Sequence, residues 1–584
     1  MKTMKRSLWV LCIFLSFIAC KKNYPKNNPV VTGESYGISM RTDKASYQPG
    51  EAVTFTIDKT IPGAKIRYRH LDETISETDL SGTSWYWTPA ATDYTGYLVD
   101  IYGQADGAEK IYGSVAVDVS SDWMRFPRYG FLSKFGQLSN ADMDVVIDNL
   151  ARHHINGIQF QDWHFKHHMP LAGTVASPQT TWKDIANRDQ YLSTVKGYIG
   201  KAHALNIKTM FYNLGFGALN DAAGDGVREE WYVFKDNAHT SKDAHLLPKP
   251  PFKSDIYLLD PSNTSWQQYI GSRNNDVYQV FDFDGFHVDQ LGDRGSLYRY
   301  DGSLLNLANT FKPFLLAMKA ASPNKRLLMN AVNQYGQQTG IAQSPVDFLY
   351  TEVWGGNEGY KDLARIISDN DNYSNNTKKT VLAAYMNYNL ANTPGFFNTP
   401  GVLLTDAVIF AFGGAHLELG EHMLGKEYFP NSNLQMKDDL KTALVKYYDF
   451  LVAYQNLLRD GGSLNSPVLS CSNGVMSLHN WPPANGKVVV SGKEFTNKQV
   501  LHFINLANAA SFDWRDTNGN QPVPNTLQNA ILEFTTNKTV SKVWVASPDI
   551  RDGVATPIPF TQNGSTVTWK LPQLKYWDMI VVEY

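Results

Sequence analysis

Two carboxylates follow apolar, strand-like segments and could work as a pair. Asp289 comes directly after the run at 285–288, and Glu352 shares one strand face with Tyr350 and Trp354, because side chains alternate along a strand. Neighbouring rings disfavour an ionised carboxyl and raise its pKa, as a general acid requires. Two carboxyls about 5 to 5.5 Å apart can cleave a glycosidic bond with retention of configuration. The pair therefore predicts a glycosidase, although Asp289 taken alone fits a loop cap equally well.

Polar and aromatic side chains also follow the other strand-like segments. Amides, carboxylates and imidazoles at such positions can bind sugar hydroxyls, and aromatic rings offer flat faces for a glucose ring. Asp293, in the loop beyond Asp289, is a reserve candidate for a functional carboxylate. The predicted substrate-binding residues are Asp162, Trp163, His164, Asn213, His287, Asn333, Tyr350, Trp354, Asn387, His416, Glu418 and Glu421.

Two clusters of histidines and carboxylates offer a metal site as an alternative. The first cluster comprises His164, His167 and His168, and the second comprises His416, Glu418, Glu421 and His422. In the second cluster, strand alternation puts His416 and Glu418 on one face, and Glu421 lies beyond Gly420. The glycines at 413 and 414 disfavour a helix, so the helical zinc-binding geometry of a zinc protease is not expected. None of the predicted barrel strands is followed by a G-x-S-x-G elbow, and H-E-x-x-H does not occur in the sequence. We expect no catalytic metal and no cofactor, and hydroxyl-binding roles for both clusters.

A parallel barrel would bring these side chains together. Eight apolar runs alternate with helical segments such as 189–205 and 303–321, and a helix with apolar residues at 143, 146, 147 and 150 follows Ser139. Eight strand-like runs alternating with helices predict a (β/α)₈ barrel over 122–458, whose functional residues lie at the C-terminal ends of the strands. A doubly wound open sheet is the alternative, but no strand is followed by G-x-G-x-x-G. The eight runs lie at 129–132, 157–160, 208–212, 285–288, 326–329, 348–350, 381–385 and 415–419.

Period-two patterns on both sides of the barrel predict two β-sandwiches. Residues 36–121 alternate apolar and polar side chains between turns, as in Val53, Phe55 and Ile57, which is typical of an immunoglobulin-like domain. Alternation returns in 459–584, which we predict to form a C-terminal β-sandwich. The overall class is therefore a multidomain protein with a central barrel between two sandwiches.

The N-terminus predicts export and lipid attachment. Basic residues precede an apolar run of eleven residues from Leu8 to Ile18, which is too short to span a bilayer as a helix and is typical of a signal peptide. Cys20 stands where a bacterial lipoprotein carries its acyl chains, and 21–35 is a polar linker. We expect an exported, membrane-anchored lipoprotein on the periplasmic side or the cell surface; the alternative is an ordinary secretory signal with an incidental cysteine.

Charge and composition exclude other classes of protein. The 584 residues carry 53 basic and 56 acidic side chains, for a net charge of −3. Because extended basic runs are missing, nucleic acid is not an expected partner. A hydrophobic content of 43% and a charged content of 19% are those of packed domains rather than of a disordered chain.

Three segments resemble glycoside hydrolase family 66, the endo-dextranases and cycloisomaltooligosaccharide glucanotransferases. They are 285–292, 350–354 and 414–421, and Ser547-Pro548-Asp549 near the C-terminus adds a fourth point of likeness. The resemblance implies an immunoglobulin-like domain, a barrel and a C-terminal sandwich. It also implies that Asp289 is the nucleophile and Glu352 the acid/base of a retaining enzyme that cleaves internal α-1,6 links of dextran to isomaltooligosaccharides.

One departure from the family pattern favours hydrolysis. Cyclising members resemble this chain but carry an additional carbohydrate-binding module within the barrel, for which the loops here leave no room. A cycloisomaltooligosaccharide-forming glucanotransferase stays an alternative, as does a lipoprotein that binds glucan without cutting it. The carboxylate pair separates these possibilities, because a binding protein does not need it.

Overall fold

The computed structural model describes residues 37–105, 107–427 and 430–584. The predicted signal peptide, the predicted lipid attachment at Cys20 and the whole predicted linker, 21–35, lie outside these ranges. Within them, no helix is both long and apolar enough to span a membrane.

Two antiparallel sheets precede the barrel. One contains β1, β2 and β5, and the other has the strand order β4, β3, β6, β7. Apolar side chains that alternate along β2, namely Val53, Phe55 and Ile57, are buried between the sheets, where Phe55 stacks on Trp85. The period-two pattern thus gives a double-layered β-structure, and its immunoglobulin-like type stays a prediction. The strands are β1 (Met40–Thr42), β2 (Val53–Ile57), β3 (Lys65–His70), β4 (Glu73–Asp79), β5 (Ser84–Trp87), β6 (Thr95–Ala105) and β7 (Ala108–Val119).

A nearly closed parallel barrel forms the centre of the protein. Eight strands pair in parallel and in chain order, and the Phe131 N–H donates to the Leu419 carbonyl at 3.1 Å to link the first and last strands. All eight predicted strands are present. They are β8 (Tyr129–Leu132), β9 (Gly157–Phe160), β12 (Lys208–Leu214), β16 (Gly285–Asp289), β19 (Arg326–Val332), β20 (Leu349–Glu352), β21 (Thr380–Ala383) and β23 (Ala415–His416). Short strands in the connecting loops are β10 (Thr181–Lys183), β11 (Asp189–Tyr191), β13 (Gly217–Ala218), β14 (Ala244–His245), β15 (Ile256–Leu258), β17 (Leu297–Tyr298), β18 (Leu304–Leu305), β22 (Gly395–Phe396) and β24 (Leu434–Gln435).

Helices cover the outside of the barrel. The first begins after Ser139, whose side chain and that of Asp142 form a reciprocal capping box, and buries Met143, Ile147 and Leu150, as the apolar spacing predicts. Two predicted helices begin later than expected, because 189–191 pairs with β10 and 304–305 pairs with β17. The helices are α1 (Asn140–Arg152), α2 (Leu192–Ala204), α3 (Thr264–Val280), α4 (Phe311–Ala321), α5 (Tyr360–Tyr373), α6 (Thr399–Ala411), α7 (Asp438–Ala453) and α8 (Gln455–Leu458).

Two more sheets follow the barrel and pack a separate apolar core between them. One contains β25, β27, β28, β29, β35, β31 and β32, and the other has the order β26, β30, β34, β33. The strands are β25 (Ser463–Asn465), β26 (Leu469–Cys471), β27 (Leu478–Asn480), β28 (Val488–Phe495), β29 (Lys498–Asn505), β30 (Leu527–Thr535), β31 (Lys542–Ala546), β32 (Thr556–Pro557), β33 (Phe560–Asn563), β34 (Thr566–Leu574) and β35 (Trp577–Glu583).

A buried aspartate ties the N-terminal sheets to the barrel. Asp449, on α7, accepts hydrogen bonds from the Ala116 N–H at 2.9 Å, from Arg152 at 2.8 Å and from His154 at 2.8 Å. Burial alone would raise its pKa, but Arg152 and His154 outweigh burial and lower the pKa of Asp449 to about 2. Asp449 is therefore ionised at neutral pH and holds the two parts of the chain in a fixed relation.

Candidate active site

Two carboxylates stand at the C-terminal ends of nearby barrel strands. Asp289 ends β16 and Glu352 ends β20, and only β19 lies between these strands. On β19, Val332 is in register with Glu352, and Met329 is in register with Val288, the residue before Asp289. Asn330 of β19 therefore lies between the two acidic residues. The structure thus brings together the two residues that the sequence selects as a pair.

The amide of Asn330 links the two carboxylates. Its Nδ2 donates to Asp289 Oδ1 at 3.1 Å and to Glu352 Oε2 at 3.0 Å. These two carboxylate oxygens are therefore no farther apart than the sum of the two distances, ~6 Å, which is shorter than the roughly 6.5 to 9.5 Å of inverting glycosidases.

Tyrosine hydroxyls complete the polar surroundings of the pair. The Tyr385 hydroxyl donates to Glu352 Oε1 at 2.6 Å, and Tyr212 forms a side-chain hydrogen bond with Asp289. Burial raises the pKa of Tyr385 well above its usual value, so its hydroxyl stays protonated and can only donate to an ionised Glu352. Both carboxylates are thus held by donors that favour their charged forms.

Burial opposes that preference and keeps a proton in the site. Burial and the negative charge of Glu352 raise the pKa of Asp289 to about 7. Burial also raises the pKa of Glu352, and the charge of Glu427 adds to the effect, although Tyr385 and Asn330 counteract it. Because ionisation of one carboxyl opposes ionisation of the other, the pair binds one proton near neutral pH. One carboxylate and one carboxylic acid are what a nucleophile and a general acid require.

The pair lies in a cleft with a volume of about 990 Å³. The lining includes apolar residues such as Leu247, Pro251 and Phe252, together with polar and aromatic groups that could contact a sugar. The polar and aromatic lining residues are Gln161, Asp162, His167, Arg188, Tyr212, His245, Asp289, Gln290, Tyr350, Glu352, Trp354, Tyr385 and Glu427.

Three of the predicted substrate-binding residues line this cleft: Asp162, Tyr350 and Trp354. Burial raises the pKa of Asp162 to about 6, although Arg188, at 3.5 Å, lowers it. The Trp354 ring packs against Tyr385, with ring centres 5.5 Å apart, beside the hydroxyl that contacts Glu352. These side chains remain candidates for sugar contacts.

The structure corrects the expectation for Trp163, His164 and His287. Trp163 is fully buried outside the barrel against Phe281. His164 is 1% exposed, and its ring is tilted against that of His167 with the ring centres 4.6 Å apart. His287 is also fully buried, because it points into the barrel two residues below Asp289. These side chains support the cleft wall and do not face the substrate.

Three asparagines brace loops rather than line the cleft. Asn213 bonds His167 twice, through its ring Nδ1 at 2.8 Å and its carbonyl at 2.8 Å. Asn333 Nδ2 donates to the Gly355 carbonyl at 3.0 Å, and Asn387 Nδ2 donates to the Asp516 carbonyl at 2.7 Å. The backbone at Asn333 and Asn387 is left-handed, with φ of 51° and 52°, a conformation that asparagine tolerates better than most residues. The three side chains therefore have structural partners, and their substrate contacts stay a prediction.

The cluster after β23 is structural as well. His416 and Glu418 lie between the barrel and helices α6 and α7, where His416 Nδ1 is 2.8 Å from Asp406 and the Tyr448 hydroxyl donates to Glu418 at 2.9 Å. Both are 1% exposed, and burial raises the pKa of Glu418 to about 8. Glu421 Oε1 accepts from the backbone and hydroxyl of Ser133, both at 2.8 Å, and so ties the end of β8 to this loop. None of the three lines the cleft.

Two groups in the described ranges could offer metal ligands, and both lie outside the cleft lining. In the group formed by His168, Asp221 and Asp225, the Lys166 ammonium lies 2.7 Å and 2.6 Å from the two carboxylates, where it supplies the positive charge. The other group is the buried one around His416. Neither is placed to act on a substrate beside Asp289.

Several lining residues were not among the sequence candidates. Tyr212 and Tyr385 could have been found from strand alternation, since Tyr212 precedes Asn213 on the opposite face and Tyr385 follows β21 on the same face as Ala383. Arg188, His245 and Glu427 come from loops that carry no periodic signal, and the sequence marks His167 only as a possible metal ligand. The Arg188 guanidinium and the Glu427 carboxylate add charged groups to the cleft lining.

Close paired carboxyls at the C-terminal face of a parallel barrel are characteristic of glycoside-cleaving enzymes. The profile of Glycosyl hydrolase family 66 matches residues 42–581, and the chain belongs to this family. It is 27% identical to a cycloisomaltooligosaccharide glucanotransferase of Niallia circulans, over 93% of this chain and 72% of the relative. It is 25% identical to a dextranase of Streptococcus salivarius, over 84% of this chain and 68% of the relative.

A solved structure shares the whole architecture. The cycloisomaltooligosaccharide glucanotransferase of Paenibacillus sp., complexed with cycloisomaltoheptaose, superposes with a TM-score of 0.83 at 27% identity. The match covers 94% of this chain and 100% of the other. The predicted family is therefore confirmed, and with it an enzyme of the glycoside hydrolase or glucanotransferase type.

Proposed function

We propose that this protein is a retaining, endo-acting glycoside hydrolase that cleaves internal α-1,6 links of dextran and releases isomaltooligosaccharides. The observation that carries the proposal is the Asn330 bridge, which limits the distance between the two bridged carboxylate oxygens to ~6 Å. That distance suits direct attack by one carboxylate and leaves too little room for the water of an inverting enzyme.

In the proposed reaction Asp289 is the nucleophile and Glu352 the acid/base. Asp289 attacks C1 of a glucosyl unit while the Glu352 proton passes to the departing O6, which gives a glucosyl ester and a shortened chain. Glu352, now ionised, takes a proton from water, and this water displaces Asp289. Burial, and to a smaller extent the negative charge of Glu427, raise the pKa of Glu352, as a proton donor requires. Asp289 must be ionised to attack, and its hydrogen bonds with Tyr212 and Asn330 favour that form although burial raises its pKa.

Dextran as substrate is proposed from the relatives. The curated relatives are named as a dextranase and as glucanotransferases that form cyclic isomaltooligosaccharides, and the similar solved structure contains such a ring. Formation of cyclic products is a second candidate because of this likeness. Hydrolysis is favoured because the barrel loops of this sequence leave no room for the additional module that we expect in cyclising members.

The test is incubation with dextran, followed by mass spectrometry of the products and NMR of the first anomer released. Linear oligosaccharides with α-configured reducing ends are expected. Cyclic products, which weigh one water less than the linear ones, would support the second candidate.

Asp289→Gly should abolish cleavage of dextran. Asp293→Asn is the matched control, because Asp293 is exposed and accepts only a local hydrogen bond from the Gly295 N–H at 2.9 Å. Failure to shorten dextran would leave a glucan-binding protein.

We also propose that the protein is exported as a lipoprotein acylated at Cys20. The support is the leader composition and the position of the cysteine in the sequence. Labelling of cells with an alkynyl fatty acid should mark the wild-type protein and leave Cys20→Ala unmarked. Equal labelling of both would contradict the proposal.

A further inference from the structure

A loop of the C-terminal sheets reaches the C-terminal face of the barrel. It connects β29 to β30 and runs from 506 to 526. Its backbone bonds the loop after β20, where the Trp514 N–H donates to the Glu358 carbonyl at 3.0 Å. It also bonds the loop after β21, where the Asn387 N–H donates to the Arg515 carbonyl at 2.8 Å. The loop therefore spans the two barrel segments that carry Glu352 and its partner Tyr385.

Other side chains anchor this loop independently of Arg515. Trp514 is fully buried and its Nε1 donates to the Asn357 carbonyl at 2.6 Å. The Asp516 carboxylate accepts from Asn398 Nδ2 at 2.8 Å, and its carbonyl accepts from Asn387 at 2.7 Å. Loss of the Arg515 side chain should therefore leave the loop docked.

The Arg515 guanidinium makes two bonds beside the acid/base. One terminal nitrogen donates to the Tyr385 carbonyl at 3.1 Å, and the other donates to the Val353 carbonyl at 3.0 Å. Val353 follows Glu352 directly, and the Tyr385 hydroxyl donates to Glu352. One planar group thus fixes the spacing of the two backbone segments that hold the Glu352 carboxyl and its hydrogen-bond donor.

Aromatic rings fix the plane of this guanidinium. Its central carbon lies 5.5 Å from the centre of the Trp354 ring and 5.2 Å from that of Tyr388. Arginine stacks on such rings while its edge donates hydrogen bonds, which a lysine cannot reproduce. The arrangement is specific to arginine.

We propose that Arg515 is a positioning residue for the acid/base, supplied by the C-terminal sheets, and that it acts through Val353 and Tyr385 on Glu352. The proposal rests on the proposed function, in which Glu352 protonates the leaving oxygen. The C-terminal sheets are then part of the catalytic unit rather than an appended module.

The test compares Arg515→Met and Arg515→Lys with wild type on dextran and on isomaltosyl fluoride. A misplaced acid should lower kcat/KM for dextran by about 10- to 100-fold. The fluoride should lose less than about threefold, because fluoride departs with little help from a general acid. The basic limb of the kcat/KM profile on dextran should move to higher pH, since the Tyr385 bond that lowers the pKa of Glu352 is loosened. Arg515→Lys, which can still reach one carbonyl, should fall between Arg515→Met and wild type.

Val523→Ala is the matched control, because Val523 lies in the same loop and is 60% exposed. It should behave as wild type.

Glu352→Gln separates failure of this inference from failure of the proposed function. This variant should lose dextran cleavage but still release fluoride from isomaltosyl fluoride in the first step; if it does not, the proposed function fails. If Glu352→Gln behaves as expected while both Arg515 variants keep the wild-type pH profile and the wild-type ratio of the two substrates, the positioning role alone is overturned. Should Arg515→Met not fold, as judged by its Tm, the same comparison is made with Arg515→Lys.

Discussion

Removal of a single hydroxyl can show which carboxyl holds the proton. Tyr385→Phe deletes the O–H that donates to Glu352 Oε1 at 2.6 Å and keeps the ring that packs on Trp354. The hydroxyl stabilises the ionised form of Glu352, so its loss raises the pKa of that carboxyl. If Glu352 is the acid, the basic limb of kcat/KM, where its proton is lost, moves to higher pH.

The size of that displacement follows from the charged hydrogen bond. Such a bond contributes about 1.5 to 3 kcal/mol, and about 1.4 kcal/mol corresponds to one pH unit, so the basic limb should move upward by about 1 to 2 pH units. The assay is initial-rate cleavage of dextran between the two limbs and beyond each of them. Movement of the acidic limb with an unchanged basic limb would show that Glu352 acts in its ionised form, and the proposed roles would be reversed.

Tyr454→Phe is the matched control for this experiment. Tyr454 is fully buried and donates to the Gly553 carbonyl at 2.7 Å, away from the cleft. Its variant loses the same kind of hydroxyl and should lower the apparent Tm without moving either limb.

Three further variants test the site and the fold. Asn330→Ala removes the amide that bonds both carboxylates and should lower kcat by about 10²- to 10³-fold in steady-state assays run well below the Tm of the variant; a loss under tenfold would contradict the bridging role. Trp163→Ala should destabilise the protein by about 3 to 5 kcal/mol, seen as a lower apparent Tm, whereas Trp354→Ala should raise KM with little change in Tm; the reverse would restore Trp163 as a substrate contact. Asp449→Asn should cost about 2 to 3 kcal/mol of stability at pH 7; because the folded pKa is depressed to about 2, the difference from wild type should shrink as pH falls from 5 towards 2, and a constant difference would contradict the ion pair.

The sequence predicts the barrel well because its signals are local. Each predicted strand is a mainly apolar run of three to five residues with a polar residue at its end or shortly after it, and burial on both faces of a parallel sheet demands such runs. Asp289 and Glu352 stand at the ends of β16 and β20, so chain order alone places them near each other.

Side-chain direction beyond the strand ends is harder to predict. Trp163 and Asp162 are neighbours in the chain, yet one packs outside the barrel and the other lines the cleft, because Asp162 adopts a left-handed backbone with φ of 52°. His416 and Glu418 share one face as predicted, but it is the outer face of the barrel. There His416 contacts Asp406, and Glu418 accepts a hydrogen bond from Tyr448. Arg515 reaches Tyr385 from another part of the chain, and no periodicity links the two.

The central claim is that Asp289 forms a covalent bond to the sugar while Glu352 handles the proton. The most direct measurement is peptide mass spectrometry of Glu352→Gln after incubation with isomaltosyl fluoride, in which the first step proceeds and hydrolysis of the ester is slow. An isomaltosyl group on the peptide that contains Asp289, absent when Asp289 is also replaced by Asn, is the predicted result. No adduct during active turnover, or an adduct on another residue, would contradict the account.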